Sequence, residues 1–263
     1  MSWTLHHGDC LDPVTGLASL ADRSVDHVIT DPPYEAEAHN PGRRILHGTP
    51  EPEPLDFAAI TETVRAEVAR QMVRVCRRWI AVFCQVEAVS LWRSVLTDAG
   101  ARYARAGIWV KPNGVQLTGD RPAQGYESIV LCYAPVAGKM RWNGGGRRGV
   151  WEFSVETNNR VHSTQKPLDL MSALVRDFTD HGETVLDPFA GSGTTGVACI
   201  QLGRSFLGWE RAENYHAVAH RRLSAAREQP SLFAPKAPKP KTGELFGGAV
   251  SAVSTGAQGD GRG

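Results

Sequence analysis

The stretch Asp187-Pro-Phe-Ala-Gly-Ser-Gly-Thr-Thr-Gly196 constrains this chain more than any other ten residues. It falls between a short apolar strand, Thr184-Val-Leu186, and a helix predicted from Thr194 to Leu202. Strand, glycine-rich turn and helix in that order is how a doubly wound α/β fold holds a ligand at a strand end. Glycine has no Cβ, so it makes the tight turn and lets the backbone approach a ligand. Seventeen residues past Gly193, after the strand Ser205-Phe-Leu-Gly-Trp209, stands Glu210. A carboxylate there can accept from both hydroxyls of a ribose. The same glycines also suit a generic β-α-β turn; the placement of Glu210 favours a ligand. A phosphate loop would need Gly-Lys-Ser/Thr, whereas this loop has Gly-Thr-Thr and opens on Asp187, which repels phosphate and suits a cationic or amine-bearing ligand.

A second signal is Asp31-Pro-Pro-Tyr34, which closes the apolar run Val25–Thr30. Each proline fixes its own φ and pushes the preceding residue into extended backbone, so the stretch is stiff. It can hold a carboxylate, the Pro32 carbonyl and the Tyr34 ring in fixed relation beside Pro33. An exocyclic base amine needs such a set, because its lone pair is delocalised into the ring. Two acceptors on its N–H bonds favour the nucleophilic form, and an aromatic ring can stack on a base taken out of the duplex. By themselves these four residues also fit a plain turn.

The rest of the chain alternates strands and helices. Helical spacing runs from Phe57 to Val75, over Val86–Leu96, over Leu168–Phe178 and from Glu213 to Arg227. Strands are predicted at Trp79–Phe83, Ala106–Val110 and Ser128–Tyr133. Such alternation implies an α/β fold with a mostly parallel sheet and helices on both faces. Residues 35–56 read as a long loop, and 134–160 carry no regular pattern. A domain over 1–228 and a disordered tail over 229–263, rich in Pro, Lys, Ala and Gly, are expected. Net charge is +1, so a nucleic-acid surface would have to come from local clusters of Arg and Lys. Five scattered cysteines, without zinc spacing, suit buried free thiols; no metal is expected. The first residues lack a leader pattern and no apolar run approaches a membrane span, which predicts a cytoplasmic protein. His6 and His7 suit capping or surface roles, and Trp209 suits the core.

Together the two loops resemble those of the amino-group DNA methyltransferases, which modify N6 of adenine or N4 of cytosine. Having the reactive loop before the cofactor loop is similar to the family's permuted β group, and the likeness runs over nearly all of residues 5–227. Gly8-Asp9, Ile108-Trp-Val-Lys111, Tyr126-Glu127 and His162-Ser-Thr-Gln-Lys-Pro167 resemble further family positions. The resemblance implies a Rossmann-like seven-stranded sheet with one reversed strand, and S-adenosylmethionine as cofactor. It assigns the cofactor's adenine to Asp9, its methionine end to Thr164, Gln165 and Lys166, and its remainder to Asp187, Pro188, Phe189, Gly191, Gly193, Thr194, Thr195 and Glu210. Catalysis falls to Asp31, Pro32, Pro33 and Tyr34. Ser163 stands where the family usually has proline. Asp at position 31 is typical of the adenine enzymes, so N6 of adenine in double-stranded DNA is the expected acceptor. Transfer to N4 of cytosine and a catalytically silent DNA-binding module are the alternatives.

Arg141, Arg147 and Arg148, in a short stretch placed where the family reads DNA sequence, are candidate DNA contacts. Arg43 and Arg44 are others, though they equally suit a solvated surface. Gln229-Pro-Ser-Leu-Phe233, including Gln229, Ser231, Leu232 and Phe233, resembles the peptide by which bacterial replication proteins bind the sliding clamp; a chance apolar pair explains it as well. The family often forms homodimers.

Overall fold

A computed structural model describes residues 2–34, 59–113, 122, 124–134, 139–155 and 165–228. All of them lie within one compact unit, Met1–Leu232. Arg43, Arg44, Thr164 and the 229–233 peptide lie outside the described residues.

Eight strands form one sheet: β1 (Trp3–His7), β2 (His27–Thr30), β3 (Trp79–Cys84), β4 (Arg102–Val110), β5 (Tyr126–Tyr133), β6 (Val150–Glu152), β7 (Thr184–Asp187) and β8 (Ser205–Glu210). Their order is β1-β8-β7-β2-β3-β5-β4-β6. Only β5 runs against the rest; it pairs antiparallel with both β3 and β4. The sheet has one strand more than the seven implied by resemblance.

β6 is three residues long, with Val150 paired to Ile108 and Glu152 to Val110. Its neighbours are Gly and Arg, so its strand character comes from β4 and not from local composition. β1 was also not foreseen as a strand; it pairs parallel with β8 at the opposite margin.

The helices are α1 (Glu62–Val75), α2 (Val89–Asp98), α3 (Leu168–Phe178), α4 (Thr194–Gln201) and α5 (Glu213–Glu228). The described part of α1 begins at Glu62, where Thr61 caps it by accepting from the Val64 amide at 3.3 Å. Against one sheet face pack Val68, Met72, Trp92 and Leu96 from α1 and α2. Against the other pack Leu170, Leu174, Val197 and Leu223 from α3, α4 and α5. With both faces covered, the central strands are buried at every position, as in β2 and β3. The five cysteines are buried and unbridged.

Parallel strands end at one edge of the sheet, and their connecting helices return to the other. Reversal of β5 brings its first residues to that same carboxyl edge, since Ser128 pairs with Cys84. Seven strand ends and one strand start therefore lie at that edge.

Candidate active site

The glycine loop connects β7 to α4 at this edge. Gly191 and Gly193 have φ of +53° and +79°, backbone that a side chain rarely adopts. Glu210, at the end of β8, fixes the loop by accepting from the Gly191 amide at 2.8 Å through one oxygen and from the Ala212 amide at 2.7 Å through the other. Asp9 stands just past β1, where the Gly8 amide donates to the Glu210 carbonyl at 3.0 Å. Asp9 is exposed and accepts from the Leu11 amide at 2.8 Å, which leaves its carboxylate at the mouth of the same cleft.

Asp187 is turned inward. It accepts from the hydroxyls of Thr30 and Thr195, both at 2.7 Å, and from the Phe189 amide at 3.1 Å. Burial outweighs these bonds and pushes its carboxyl up to about 6. The carboxylate ties β2, β7 and α4 together in place of facing a ligand directly, so its electrostatic pull on a cation acts through the loop. Thr194 accepts from Arg222 of α5 at 3.1 Å, and the same guanidinium reaches the Ser192 carbonyl at 2.6 Å. Arg222 carried no sequence signal: it lies about eight helical turns of chain away, on a face that only the fold brings over the loop. The spacing Gly191, Gly193, Gly196 also matches a dinucleotide fingerprint, so the loop alone does not select the ligand.

One strand over, Asp31 follows β2. Its Oδ2 accepts from Lys166 Nζ at 2.5 Å, while its Oδ1 is buried without a partner. Tyr34 donates its hydroxyl to Glu127 Oε2 at 2.7 Å, and its backbone carbonyl accepts from the Ile60 amide at 3.2 Å. Lys166 Nζ also lies 3.3 Å from the Tyr34 hydroxyl and 3.2 Å from Glu127 Oε2. Lys111 closes the group at 2.5 Å from Glu127 Oε1. Burial alone would push Glu127 up, but the two ammonium groups hold it down at about 2. Burial raises Tyr34 well above the ordinary phenol range, and Asp31 and Glu127 add to it, so the hydroxyl stays protonated. Lys166 and Gln165 lie buried just before α3. Glu127 and Lys111 entered the sequence reading only as matching positions; the reversed strand makes them part of the site.

The arginines of 141–148 are placed elsewhere. Arg147 pairs with Asp177, and Arg141 lies 3.6 Å from Asp180, both at the carboxyl end of α3. The Arg141 carbonyl accepts from the indole of Trp79, the first residue of β3. That is the amino edge of the sheet, opposite the cleft. The structure does not bring Arg141 and Arg147 to the reactive loop: both side chains lie beside acidic residues at the end of α3, at the far edge of the sheet. Arg148, exposed beside them, is not brought to the cleft either.

Among the described residues, no group of three or more His, Cys, Asp or Glu could hold a metal ion, and no helix is long and apolar enough to cross a membrane. His6 stacks on Trp209 at 4.5 Å, and Trp209 is buried in the core.

A family model described as DNA methylase, of the N6 and N4 type, matches residues 25–221. The type II methyltransferase M.HinfI of Haemophilus influenzae is 25% identical over 266 residues, spanning 87% of this chain and 70% of its own length. Putative methylase YubD of Escherichia coli K12 is 29% identical over 234 residues, 84% of this chain and 89% of its own. Among solved structures, M1.HpyAVI in complex with SAM superposes with a TM-score of 0.64 at 24% identity, covering 84% of this chain and 98% of that one. The PvuII DNA methyltransferase, described as cytosine-N4-specific, superposes at 0.63 and 16% identity, with 89% of each chain covered.

Proposed function

The chain belongs to the DNA methylase family of N6 and N4 methyltransferases, and on that premise we propose that it transfers the methyl group of S-adenosylmethionine to the N6 amine of adenine in DNA. The observation that carries this reading is the pair of neighbouring loops at one sheet edge. The glycine loop with Glu210 and Asp9 lies on one side, and the stiff loop with the unpartnered Asp31 Oδ1 on the other.

The residues present fit the cofactor. A Cβ on Gly191 would meet nothing within 4 Å, so the loop is open on that side, and Glu210 is already oriented by two amides, with lone pairs left for ribose hydroxyls. Asp9 would take the adenine; Gln165, beside Lys166, would take the methionine end. When bound, S-adenosylmethionine supplies a methyl carbon made electrophilic by its sulfonium.

Asp31 Oδ1 and the Pro32 carbonyl accept from the two N–H bonds of the amine and turn its lone pair toward the methyl. Tyr34, held at its hydroxyl by Glu127, offers a ring on which the flipped base stacks, worth about 1–3 kcal/mol. Transfer would break the methyl–sulfur bond, leaving a neutral thioether, as the N–C bond forms, and Asp31 would accept the proton that the nitrogen sheds. Orientation supplies much of the rate.

The test is incubation of the full chain with S-adenosylmethionine and unmethylated genomic DNA, then digestion to nucleosides and mass spectrometry. N6-methyladenine is expected. N4-methylcytosine would keep the mechanism and overturn the choice of base; DNA left without a new modified base would sink the reading.

A further inference from the structure

Two carboxylates and two ammonium groups sit in an alternating chain beside the reactive loop: Asp31, Lys166, Glu127 and Lys111, linked at 2.5, 3.2 and 2.5 Å. Lys166 and Glu127 are buried, and Tyr34 is half-buried beside them. An ammonium buried to this degree is costly unless its charge is met, and here two carboxylates and a hydroxyl meet it.

We propose that Lys166 is a positioning residue for the transfer step, held by Glu127 and in turn holding Asp31 by a single oxygen so that the other oxygen faces the amine. This deepens the methyltransferase reading and rests on it. Its basis is the asymmetry at Asp31: Oδ2 is taken by Lys166, and Oδ1 is buried and unpartnered. A carboxylate free to rotate would present either oxygen and would swing between the lysine and the substrate. One pinned by a charged donor presents one oxygen in one direction.

The same ammonium is the largest influence against protonation of Asp31, whose carboxyl burial leaves raised. Burial raises the Asp31 carboxyl, Lys166 opposes that rise, Glu127 adds to it, and Lys111 opposes it from farther away. Asp187 is the other carboxylate near Asp31, and the Tyr34 hydroxyl is neutral. Lys166 is itself held in its charged form: burial lowers it, and Asp31 with Glu127 more than restores it.

Two opposite shifts follow. With Lys166→Met, Asp31 loses its neutralising charge, and the acid limb of the rate profile moves to higher pH. With Glu127→Gln, Asp31 loses a repelling charge, and the limb moves to lower pH. Close charges shift a pKa by about 1–3 units, so limb displacements of that order are expected for Lys166→Met. Lys166→Arg restores most of the wild-type limb. A merely structural lysine would lower the amplitude of the profile without moving it in opposite senses in the two variants.

The experiment measures single-turnover methylation by the full chain against pH, at saturating S-adenosylmethionine, for wild type, Lys166→Met, Lys166→Arg, Glu127→Gln and Lys111→Gln. Circular dichroism and thermal unfolding are measured in parallel to establish that each variant is folded. Opposite displacements in Lys166→Met and Glu127→Gln, with a smaller upward one in Lys111→Gln, support the assignment. Limbs that stay in place or move together overturn it while leaving the methyltransferase reading intact. Should Lys166→Met not fold, the Glu127→Gln and Lys111→Gln pair decides on the same criterion. Wild type that transfers no methyl group overturns the reading and this inference with it.

Discussion

At the scale of single residues, the site divides into groups that hold and one that reacts. Asp187, Glu210 and Arg222 spend their polar atoms on the protein's own loop. Among the described residues of the site, Asp31 keeps a buried acceptor without a partner. Such an orphan costs stability, about 1–3 kcal/mol, and makes sense where a ligand's N–H completes it. Replacement Asp31→Ala is therefore expected to leave S-adenosylmethionine affinity within a few-fold of wild type and to lower turnover by about 100- to 10,000-fold, the range for a positioned proton acceptor. Calorimetry and radiolabel transfer measure the two halves. Turnover near wild type would remove Asp31 from the chemistry. Asp31 and Asp187 were legible in sequence because proline and glycine mark strand ends by sterics alone. The inward turn of Asp187 was not, since its partners Thr30 and Thr195 lie 157 and 8 residues away, and only packing brings all three together.

At the scale of elements, what could be read in advance was whatever carries its own periodicity. β3, β5 and β7, buried at nearly every position, show as apolar runs, and α3 shows as an amphipathic helix. β6 could not be read, because three residues between Gly149 and Phe153 become a strand only by pairing with β4. The placement of Arg141 and Arg147 could not be read for a related reason: basic residues look alike in sequence at either edge of the sheet, and only the fold sets these two beside Asp180 and Asp177. The glycines of the cofactor loop also hide a second task. A Cβ on Gly196 would come within 2.5 Å of Leu223 and within 2.8 Å of the Phe206 ring. Helix α4 can therefore lie against α5 and β8 only because that position is bare. Gly196→Ala gains helix propensity but forces those apolar neighbours apart, so a net loss of about 1–3 kcal/mol is expected. Denaturant titration checks it, and because α4 carries Thr194 and Thr195, weakened cofactor binding should accompany the loss. A variant as stable as wild type would show that α4 has slack that the packing denies.

At the scale of the whole molecule, the sheet keeps its chemistry at one edge and much of its ionic fastening at the other. At the amino edge Glu183, just before β7, accepts from His27 at 2.8 Å, from Arg78 at 2.5 Å and from the Asp180 amide at 2.7 Å. These bonds join β2, β3 and the turn after α3, three pieces far apart in sequence. Burial opposes the charge on Glu183, but the bond from His27, the Asp180 amide and the charge of Arg78 prevail and hold its carboxyl at about 2, below the ordinary 4.5. The folded protein thus keeps Glu183 ionised where the unfolded chain binds a proton. Its contribution is whole above pH 4.5 and is lost as pH falls toward 2. Asp187 runs the other way: raised to about 6, it favours the fold below its ordinary 3.8 and loses that advantage as pH rises through 6. The two carboxyls oppose each other across the sheet, and acid sensitivity below pH 4.5 comes from the carboxyls held at about 2, Glu183 at the amino edge and Glu127 at the carboxyl edge. Glu183→Gln should cost about 1–3 kcal/mol at pH 6.5, after allowance for partial solvent screening, and the gap from wild type should close as pH approaches 2–3. Urea midpoints at both ends of that range measure the gap. If it stays constant with pH, the fastening is neutral hydrogen bonding, and the charge on Glu183 contributes nothing to it.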